Sequence, residues 1–292
     1  GCMDTLACNY DSLATIDDSS CVYPTSSTTT VTACDSLVWN GTTYTQSGTY
    51  SYGTSNNYSL DFDMSNDYVE FNQSHIPSSG KVTLMAWSYA PYHPTTGNQH
   101  RNIFSQGDAG NAWFLGYDDN GGMRLNHVWY NIPVQYPFGE WVHFAVVCDQ
   151  NNGYTKMYKN GILVAQTTHV MLPSSNGVFR IGRQWDNTGT EDWFGKIDDV
   201  QIWHTDLTQQ EIQQYMSCPL TGSESGLGSY WDFEEGSGTT VYDQTANGNN
   251  GTINGATYDA NVPAQSCALT NANGCDSTAI LNLTINQAVG CM

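Results

Sequence analysis

Basic residues are scarce in this chain. Its 292 residues include 28 Asp plus Glu but only 8 Lys plus Arg, which gives a formal net charge of -20 and a sequence pI of about 4.2. A surface this acidic repels the phosphate backbone of nucleic acids and the anionic surface of membranes. The sequence therefore predicts a protein that binds no nucleic acid.

Long apolar runs are also missing. No stretch reaches the roughly 18 uninterrupted apolar residues of a transmembrane helix, which predicts no membrane insertion. Charged residues make up only 12% of the chain, but hydrophobic residues make up 39%, with 9 Trp, 18 Tyr and 9 Phe. Such a chain can bury a large core, so we expect a folded protein.

Closely spaced cysteine pairs are absent, which argues against zinc ribbons and thioredoxin-like motifs. The 9 cysteines are instead dispersed, mostly beside Gly, Ser, Asn, Asp or Pro. This pattern is typical of disulfides and hence of an extracellular protein. Cys148 differs because it ends the strand-like sequence WVHFAVVC, and we expect it to be a buried free thiol.

The first 24 residues are rich in Cys and Asp and have no apolar periodicity. We expect residues 1–24 to form a separate small module. Because this module cannot fold by burial alone, we predict that a Cys8–Cys21 bridge and a calcium ion stabilise it. The predicted calcium ligands are Asn9, Asp11, Asp17 and Asp18. The alternative is an exposed acidic turn without a metal.

The middle part of the chain combines short strand-like sequences with recurrent Asn-Gly turns. We predict strands at 58–63, 68–71, 82–89, 103–106, 112–117, 123–128, 140–147, 155–159, 162–166, 177–181 and 194–203. This spacing is typical of an antiparallel two-sheet sandwich. One helix is predicted at 208–216, where Thr208 as the N-cap and Glu211 form a capping box.

Separated motifs in this middle part carry a resemblance to a known family. They read LDFDMSNDYVEF, VTLMAWSYAP, WVHFAVVCDQNNGYTKMYKNGILV and FRIGRQW followed by FGKIDDVQIWHTDLTQQEI. In order and spacing they resemble the laminin-G-like, concanavalin A-like superfamily, which implies an all-β, antiparallel two-sheet jelly roll over residues 56–267. Residues 230–257, which resemble the first strands of the family, come last here. Either the domain is circularly permuted, or this segment returns to the place of the missing first strands.

The flanks of the jelly roll resemble a second pattern. Residues 25–55, with a predicted hairpin around Asn40-Gly41, and residues 268–289 are similar to the two halves of a small Ig-like β-sandwich repeat. That repeat occurs in Bacteroidetes-type surface proteins secreted by the type IX system, and residues 1–24 resemble a Cys/Asp repeat of the same proteins. The resemblance implies that the jelly roll is inserted into the small sandwich.

The resemblance also implies a bridge between Cys34 and Cys275 across the two halves of the small sandwich. A second bridge is predicted between Cys218 and Cys267, which bracket residues 230–257, and the partners of Cys2 and Cys291 stay open. Gly290-Cys291-Met292 repeats Gly1-Cys2-Met3, so residues 290–292 are expected to begin a further copy of the unit.

A second calcium site is predicted in the jelly roll. The loop from Asp243 through Asn247 to Asn249 mixes carboxylate and amide oxygens with glycines, which suits a hard cation. The resemblance implies that this loop holds a structural Ca2+ together with Asp198 or Asp199. The alternative is that these side chains only form turns by bonding to nearby backbone groups.

Aromatic residues beside polar ones suggest a sugar-binding face, because flat rings stack on sugars and polar groups bond to hydroxyls. The candidate rings are Trp113, Tyr117, Trp129, Tyr130, Trp185 and Trp193. The candidate polar partners are Asp118, Asp119, Arg124, Asn126, Arg183 and Asp186. The alternative for each ring is a place in the core.

Short Asp-Thr or Asp-Ser tripeptides in the flanks resemble the O-glycosylation signal of Bacteroidetes-type secreted proteins. The implied acceptors are Thr5, Ser12, Ser36 and Ser277.

Catalytic motifs are missing from the sequence. It contains no HExxH, no Gly-x-Ser-x-Gly, and no Glu-x-Asp-x-x-Glu of the kind found in glycoside hydrolases of similar fold. The nearest cluster is Asp232, Glu234 and Glu235, where strand alternation predicts that Asp232 and Glu234 share one face. We therefore expect that the chain is not an enzyme.

Together these features predict a repeat unit of a long extracellular adhesin or fibre at the cell surface. We expect its jelly roll to bind a glycan or polysaccharide, and the unit to contact neighbouring repeats of the same chain. One alternative is a purely structural filament or stalk subunit, and another is a carbohydrate-binding module of a secreted hydrolase.

Overall fold

The chain divides into two compact units in this computed structural model. The smaller unit comprises Gly1–Ser55, Ser217–Thr221 and Gln265–Met292, and the larger comprises Asn56–Met216 and Gly222–Ala264. The structure describes residues 1–4, 7, 14–23, 25–39, 42–44, 47–52, 56–93, 100–107, 113–125, 134–172, 177–184, 191–217, 219–265 and 277–286.

The smaller unit begins with four strands: β1 Thr25–Cys34, β2 Leu37–Trp39, β3 Thr42–Tyr44 and β4 Gly48–Tyr52. The larger unit starts with β5 Ser59–Asp63, β6 Tyr68–Glu70, β7 Lys81–Tyr89, β8 Arg101–Gln106, β9 Trp113–Tyr117, β10 Met123–Leu125, β11 Trp141–Asp149 and β12 Tyr154–Lys159. It continues with β13 Ile162–Thr167, β14 Phe179–Ile181, β15 Phe194–Trp203, helix α1 Gln209–Tyr215, β16 Leu227–Trp231, β17 Thr240–Val241, β18 Gly251–Asn254 and β19 Thr257–Asp259. The last strand, β20 Ser277–Asn286, returns to the smaller unit.

The smaller unit joins segments that are distant in sequence. Its three-stranded sheet has the order β1-β20-β4, in which β20 runs parallel to β1 and antiparallel to β4. Strands β2 and β3 form a separate antiparallel pair, on either side of the predicted Asn40-Gly41 turn, which itself lies outside the described residues.

The predicted Cys8–Cys21 bridge is wrong. Cys21 bonds to Cys2, with the two Cα atoms 4.7 Å apart, so the closed loop reaches nearly to the start of the module. Sequence spacing could not decide between these partners, because either cysteine can close a loop onto Cys21. Cys34 also takes part in a disulfide, and its predicted partner Cys275 lies outside the described residues, as do Cys218 and Cys267.

The larger unit is built from two antiparallel sheets. One has the order β10-β9-β8-β14-β6-β18-β17, and the other has the order β13-β12-β11-β7-β15-β5-β19, with β16 also paired to β15. One hydrophobic core contains side chains from both, such as Phe104 and Ile181 from the first sheet and Leu84 and Phe144 from the second. The predicted all-β, antiparallel jelly-roll class is confirmed.

The predicted strands of the larger unit all overlap observed ones, with ends displaced by a few residues. The segment that comes late in the sequence enters both sheets. In the second sheet β16 pairs with β15 and β19 pairs with β5, while in the first sheet β18 pairs with β6. This segment therefore fills strand positions within the sandwich.

Helix α1 has the predicted capping box. The Thr208 hydroxyl accepts a hydrogen bond from Glu211 N, and the Glu211 carboxylate accepts one from Thr208 N at 2.7 Å. The helix packs on the eight-stranded sheet through Tyr215, whose ring stacks on Trp203 with centroids 4.5 Å apart. Among the described residues, no helix has the length and apolar character needed to cross a membrane.

The predicted state of Cys148 is confirmed. It is a free thiol in β11 and is completely buried. Its Sγ donates to the carbonyl oxygen of Met171 at 3.1 Å, so the thiol is satisfied inside the core. Burial raises the pKa of Cys148 to about 11.

Candidate functional site

The acidic segment Asp232–Glu235 does not continue a strand, so the predicted sharing of one strand face by Asp232 and Glu234 is wrong. Strand β16 ends at Trp231, and the buried Phe233 has φ +55°. A bulky residue in this left-handed conformation is rare and is tolerated only where the surroundings enforce it. The positive φ of Phe233 breaks the strand alternation between Asp232 and Glu234.

Each carboxylate of this segment has defined partners. Glu234 accepts hydrogen bonds from Asn57 N, Asn57 Nδ2 and Tyr58 N at 2.8–3.0 Å. Asp232 accepts one from Gln244 Nε2 at 3.1 Å. Burial, together with the negative charges of Glu235 and Glu234, raises the pKa of Asp232 to about 7.

Glu235 bonds to two tyrosines, and the ring of a third, Tyr58, lies against the next residue, Gly236. Glu235 Oε1 accepts a hydrogen bond from Tyr242 N at 2.8 Å, and its Oε2 accepts one from the Tyr258 hydroxyl at 3.1 Å. The Tyr58 ring meets the Tyr258 ring edge to face, with centroids 6.2 Å apart. We call Tyr58, Tyr242 and Tyr258 around Glu235 the tyrosine platform.

Sequence reasoning missed the tyrosine platform. Its members come from the segment before β5, the end of β17 and strand β19. Tyr58 and Tyr258 meet through the pairing of β19 with β5, which no sequence spacing reveals, whereas Tyr242 lies seven positions after Glu235. The sequence contains one weak signal, since Tyr242 stands between the apolar Val241, which the structure buries, and the polar loop that starts at Asp243.

The predicted metal ligands Asp198 and Asp199 lie in an irregular part of β15. Pairing with β7 shifts register between Asp198 and Gln201, and Asp199 has φ +48°. Both residues are buried, and the Asp199 carboxylate accepts a hydrogen bond from the Tyr230 hydroxyl at 2.6 Å. Burial and the charge of Asp199 raise the pKa of Asp198 well above its usual range.

An amide next to this carboxylate pair tests whether a cation fits. Asn56 Nδ2 donates to Asp198 Oδ2 at 2.8 Å, while Asn56 Oδ1 is buried and has no hydrogen-bond partner in the described part of the chain. A buried acceptor without a donor is costly, and a hard cation prefers carboxylate and amide oxygens. Asn56, Asp198 and Asp199 therefore fit a calcium ion chemically.

The predicted ligand loop at Asp243 is closed by its own hydrogen bonds. Asp243 Oδ1 accepts from Tyr230 N and Thr245 N, and Oδ2 accepts from Thr245 Oγ1 and Asn249 N. The Asn247 and Asn249 side chains both donate to the carbonyl oxygen of Gly228. These bonds occupy the carboxylate as an Asx turn does, which was the alternative to calcium. In the described ranges, no three His, Cys, Asp or Glu side chains form a group able to hold a metal.

Three predicted sugar-stacking rings are core residues, so that prediction is wrong for them. Trp113, Tyr117 and Trp193 are completely buried. In β9, Trp113 and Tyr117 lie on the same face as Leu115, which belongs to the core that both sheets share. Rings in that position contact other side chains and cannot stack on a sugar from solution.

The predicted polar partners form ion pairs and turns. Arg124 pairs with Glu191 and also donates to Asn102 Oδ1, and all three side chains are buried. Arg183 pairs with Asp192 at 2.7 Å, again in a buried setting. These arginines are held by carboxylates of the protein.

Asp118 and Asp119 lie in the turn between β9 and β10. Asp118 accepts hydrogen bonds from Asn120 N and Gly122 N, and thus closes the turn. Asp119 has 57% of its side chain exposed and lies 3.3 Å from His100 Nε2. Of the predicted polar partners, Asp119 is therefore one that solvent reaches.

Other predicted site residues lie in the smaller unit or outside the described residues. Asp17 and Asp18 are exposed and accept hydrogen bonds from Ser19 N and Ser20 N, as in the acidic turn considered as the alternative. Ser36 is exposed, and Ser277 begins β20. Outside the described residues are Thr5, Asn9, Asp11, Ser12, Asn126, Trp129, Tyr130, Trp185 and Asp186.

The two-sheet sandwich and its sequence define a class of lectin-like domains. The family model for Laminin_G_3, the concanavalin A-like lectin/glucanases superfamily, matches residues 63–213. The match spans more than half of the chain, and the chain therefore belongs to this family. No curated protein sequence matches the chain significantly.

One solved structure supports the same fold, and a second is similar. A putative carbohydrate-binding protein from Bacteroides ovatus is 24% identical with a TM-score of 0.56, and the alignment covers 72% of this chain and 61% of that one. This chain thus spans about three fifths of that protein. A native heptameric SAP-like pentraxin from Limulus polyphemus is 17% identical with a TM-score of 0.49, covering 73% of this chain and 98% of that one.

Proposed function

We propose that the larger unit is a glycan-binding jelly roll in a repeat unit of an extracellular adhesin or fibre. Membership of the concanavalin A-like lectin/glucanases superfamily carries this proposal, since the matched residues 63–213 include the central strands of both sheets. The Bacteroides ovatus protein of similar fold, described as a putative carbohydrate-binding protein, adds support by analogy.

Disulfide chemistry supports the extracellular location. Cys2 bonds to Cys21, and Cys34 is also disulfide-bonded. Such bonds persist in oxidising compartments outside the cytosol. An exported chain with few basic residues suits a role at a cell surface, where it meets polysaccharides.

A glycan array tests the proposed function. The full chain, labelled and supplied with calcium, is applied to an array and to insoluble polysaccharides in a pull-down. We expect selective retention on a subset of glycans, competed by the same soluble oligosaccharide. Absence of retention on both would contradict glycan binding and favour the purely structural filament role.

We propose that the jelly roll also holds a structural calcium ion at Asn56, Asp198 and Asp199. Support comes from the buried Asn56 Oδ1 without a donor and from the two adjacent buried carboxylates. A cation there would offset their charge. The Asp243 loop would brace this region through Tyr230, to which both Asp199 and Asp243 bond.

Thermal unfolding with and without a chelator tests the calcium site. We expect chelation to lower the midpoint and added Ca2+ to restore it, and we expect Asp198→Asn to be insensitive to both. Asp119→Asn, which alters an exposed carboxylate elsewhere, serves as the control and should respond like wild type. An unchanged wild-type midpoint would refute the site.

Hydrolysis is the competing activity. A partly buried carboxyl with a pKa of about 7 next to other carboxylates, as at Asp232, has the electrostatics of a general acid. We propose binding without cleavage, because the Glu-x-Asp-x-x-Glu pattern of glycoside hydrolases of similar fold is missing from the sequence. Release of new reducing ends from a bound polysaccharide, lost in Asp232→Asn, would instead establish a glucanase.

A further inference from the structure

The tyrosine platform offers exposed aromatic surface. Tyr242 is 53% exposed and Tyr58 is 37% exposed, and Tyr242 makes no ring–ring contact within the described residues. Tyrosine rings at this exposure suit stacking on the apolar face of a sugar, because they supply a large flat area with few rotatable bonds.

The Glu235 carboxylate in the tyrosine platform can accept further hydrogen bonds. Tyr242 N and the Tyr258 hydroxyl fix one lone pair on each carboxylate oxygen. Each carboxylate oxygen can accept a second hydrogen bond. Glu235 can therefore bond to donors on a ligand that lies over the rings, without moving its side chain.

The charge around the platform selects the ligand. Asp232, Glu234 and Glu235 make no ion pair within the described residues, which include all 8 Lys and Arg. Lys196, on β15, is held between Asp61 and Asp259 at 3.0 and 3.2 Å. A carboxylate or sulfate on a sugar would meet only like charge here, whereas hydroxyl and amino groups would meet acceptors.

We propose that the tyrosine platform is a glycan-binding subsite for hexose units that carry hydroxyl or amino groups and no acidic group. The rings of Tyr58 and Tyr242 stack on the sugar, and Glu235 accepts its hydrogen bonds. This inference rests on the proposed glycan-binding function and gives it a location and a ligand class. It replaces the predicted rings Trp113, Tyr117 and Trp193, which are buried.

Binding of defined oligosaccharides to variants tests the subsite. The probes are a neutral cello-oligosaccharide, a chitosan oligomer with free amino groups and an oligogalacturonate, titrated by calorimetry into the full chain. The variants are Tyr242→Ala and Tyr58→Ala, with Tyr92→Ala as the matched control. Tyr92 is 59% exposed and contacts the Phe194 ring. Thermal midpoints check that each variant is folded.

We expect the wild type to bind the neutral or the amino-bearing probe and not the oligogalacturonate. Loss of a stacking ring should weaken binding about tenfold, while Tyr92→Ala stays within about twofold of wild type. Glu235→Gln should weaken the amino-bearing probe more than the neutral one, because it removes the charge. If Tyr58→Ala fails to fold, Tyr242→Ala still tests the subsite. We expect that variant to fold, because the Tyr242 ring contacts no other ring within the described residues.

The contrary outcomes separate the subsite from the general function. If the wild type binds glycans and both platform variants bind equally well, the subsite is refuted while glycan binding stands. If the oligogalacturonate binds and Tyr242→Ala abolishes that binding, the ligand class is refuted. If the wild type binds no glycan on the array or in titration, both proposals fail.

Discussion

At the scale of single residues, buried charge is the most demanding feature of the jelly roll. Arg124 is 2% exposed and its partner Glu191 is 11% exposed, so this ion pair lies away from water. Removing one member of a buried pair leaves an uncompensated charge, which costs far more than the pair itself contributes. Asn102, which bonds to both side chains, completes the arrangement.

We expect Glu191→Ala to lower the free energy of unfolding by about 3–5 kcal/mol. Asp61→Ala is the control, because Asp61 is 40% exposed and Lys196 keeps Asp259 as a second partner. That control should cost less than about 1 kcal/mol. Urea unfolding measures both values, and similar losses in the two variants would contradict the argument.

We expect His143 to make the protein sensitive to acid. Its ring is buried in β11, and neither ring nitrogen has a hydrogen-bond partner in the described structure. Burial lowers the pKa of His143 from 6.5 to about 3. The unfolded chain therefore binds a proton at His143 that the folded chain excludes. Because of this difference, the free energy of unfolding is unaffected by His143 above pH 6.5 and decreases as the pH falls toward 3.

When the pH falls from about 6.5 to about 4, we expect the free energy of unfolding of His143→Phe to drop by about 2–3 kcal/mol less than that of wild type. Phenylalanine can keep the ring contact with Trp87, whose centroid lies 5.3 Å away. Carboxyls with raised pKa, such as Asp232, act in the opposite direction in both proteins and cancel in the comparison. Urea unfolding at several pH values measures the free energy of unfolding of wild type, His143→Phe and the control His169→Gln, which alters an exposed histidine. If the free energy changes with pH in parallel in all three, the argument for His143 is wrong.

At the scale of elements, the close approach of paired strands determines at which glycines a side chain can be added. Gly195 lies in β15 against the end of β7, and a Cβ atom there would overlap the carbonyl oxygen of Tyr89. Gly80 precedes β7 and has φ +89°, but no atom lies within 4 Å of its Cβ position. Both glycines have positive φ, +89° at Gly80 and +122° at Gly195, but only Gly195 lies close to another strand.

We expect Gly80→Ala to cost about 1 kcal/mol, the price of a left-handed conformation for alanine. Gly195→Ala should cost at least about 2 kcal/mol more, because the two strands must separate. Thermal and denaturant unfolding of the two variants provide the measurement. Equal destabilisation would mean that β7 and β15 can move apart freely.

At the scale of the whole molecule, like charge opposes folding. The formal net charge is -20, and five of the 8 basic residues already pair with carboxylates. The remaining acidic groups repel one another in the compact state, and salt screens that repulsion.

We expect the thermal midpoint to rise by about 2–5 °C when ionic strength increases from about 0.01 M to about 0.15 M. A chelator is present throughout, so that a specific effect of calcium does not contribute. Potassium and sodium chloride should act alike because the effect is one of screening. A midpoint that stays constant or falls would show that attractive pairs dominate the electrostatics.

Local patterns in the sequence determined the elements of this protein. Apolar runs predicted strands such as β7 and β11, which are buried on both faces, and the capping box predicted the start of α1. These signals are readable because each depends on residues within a few positions of one another. The family motifs were readable for the same reason, since strand and turn residues recur in a constant order.

Only the tertiary structure decided which residues meet. It paired Cys21 with Cys2, placed Trp113 in the core, and brought Tyr58 to Tyr258 across 200 positions of sequence. Strand alternation shows that a side chain points to one of two faces, but the partners of each strand determine which face is buried. The contacts of the candidate sites depend on those long-range pairings, and sequence periodicity does not contain them.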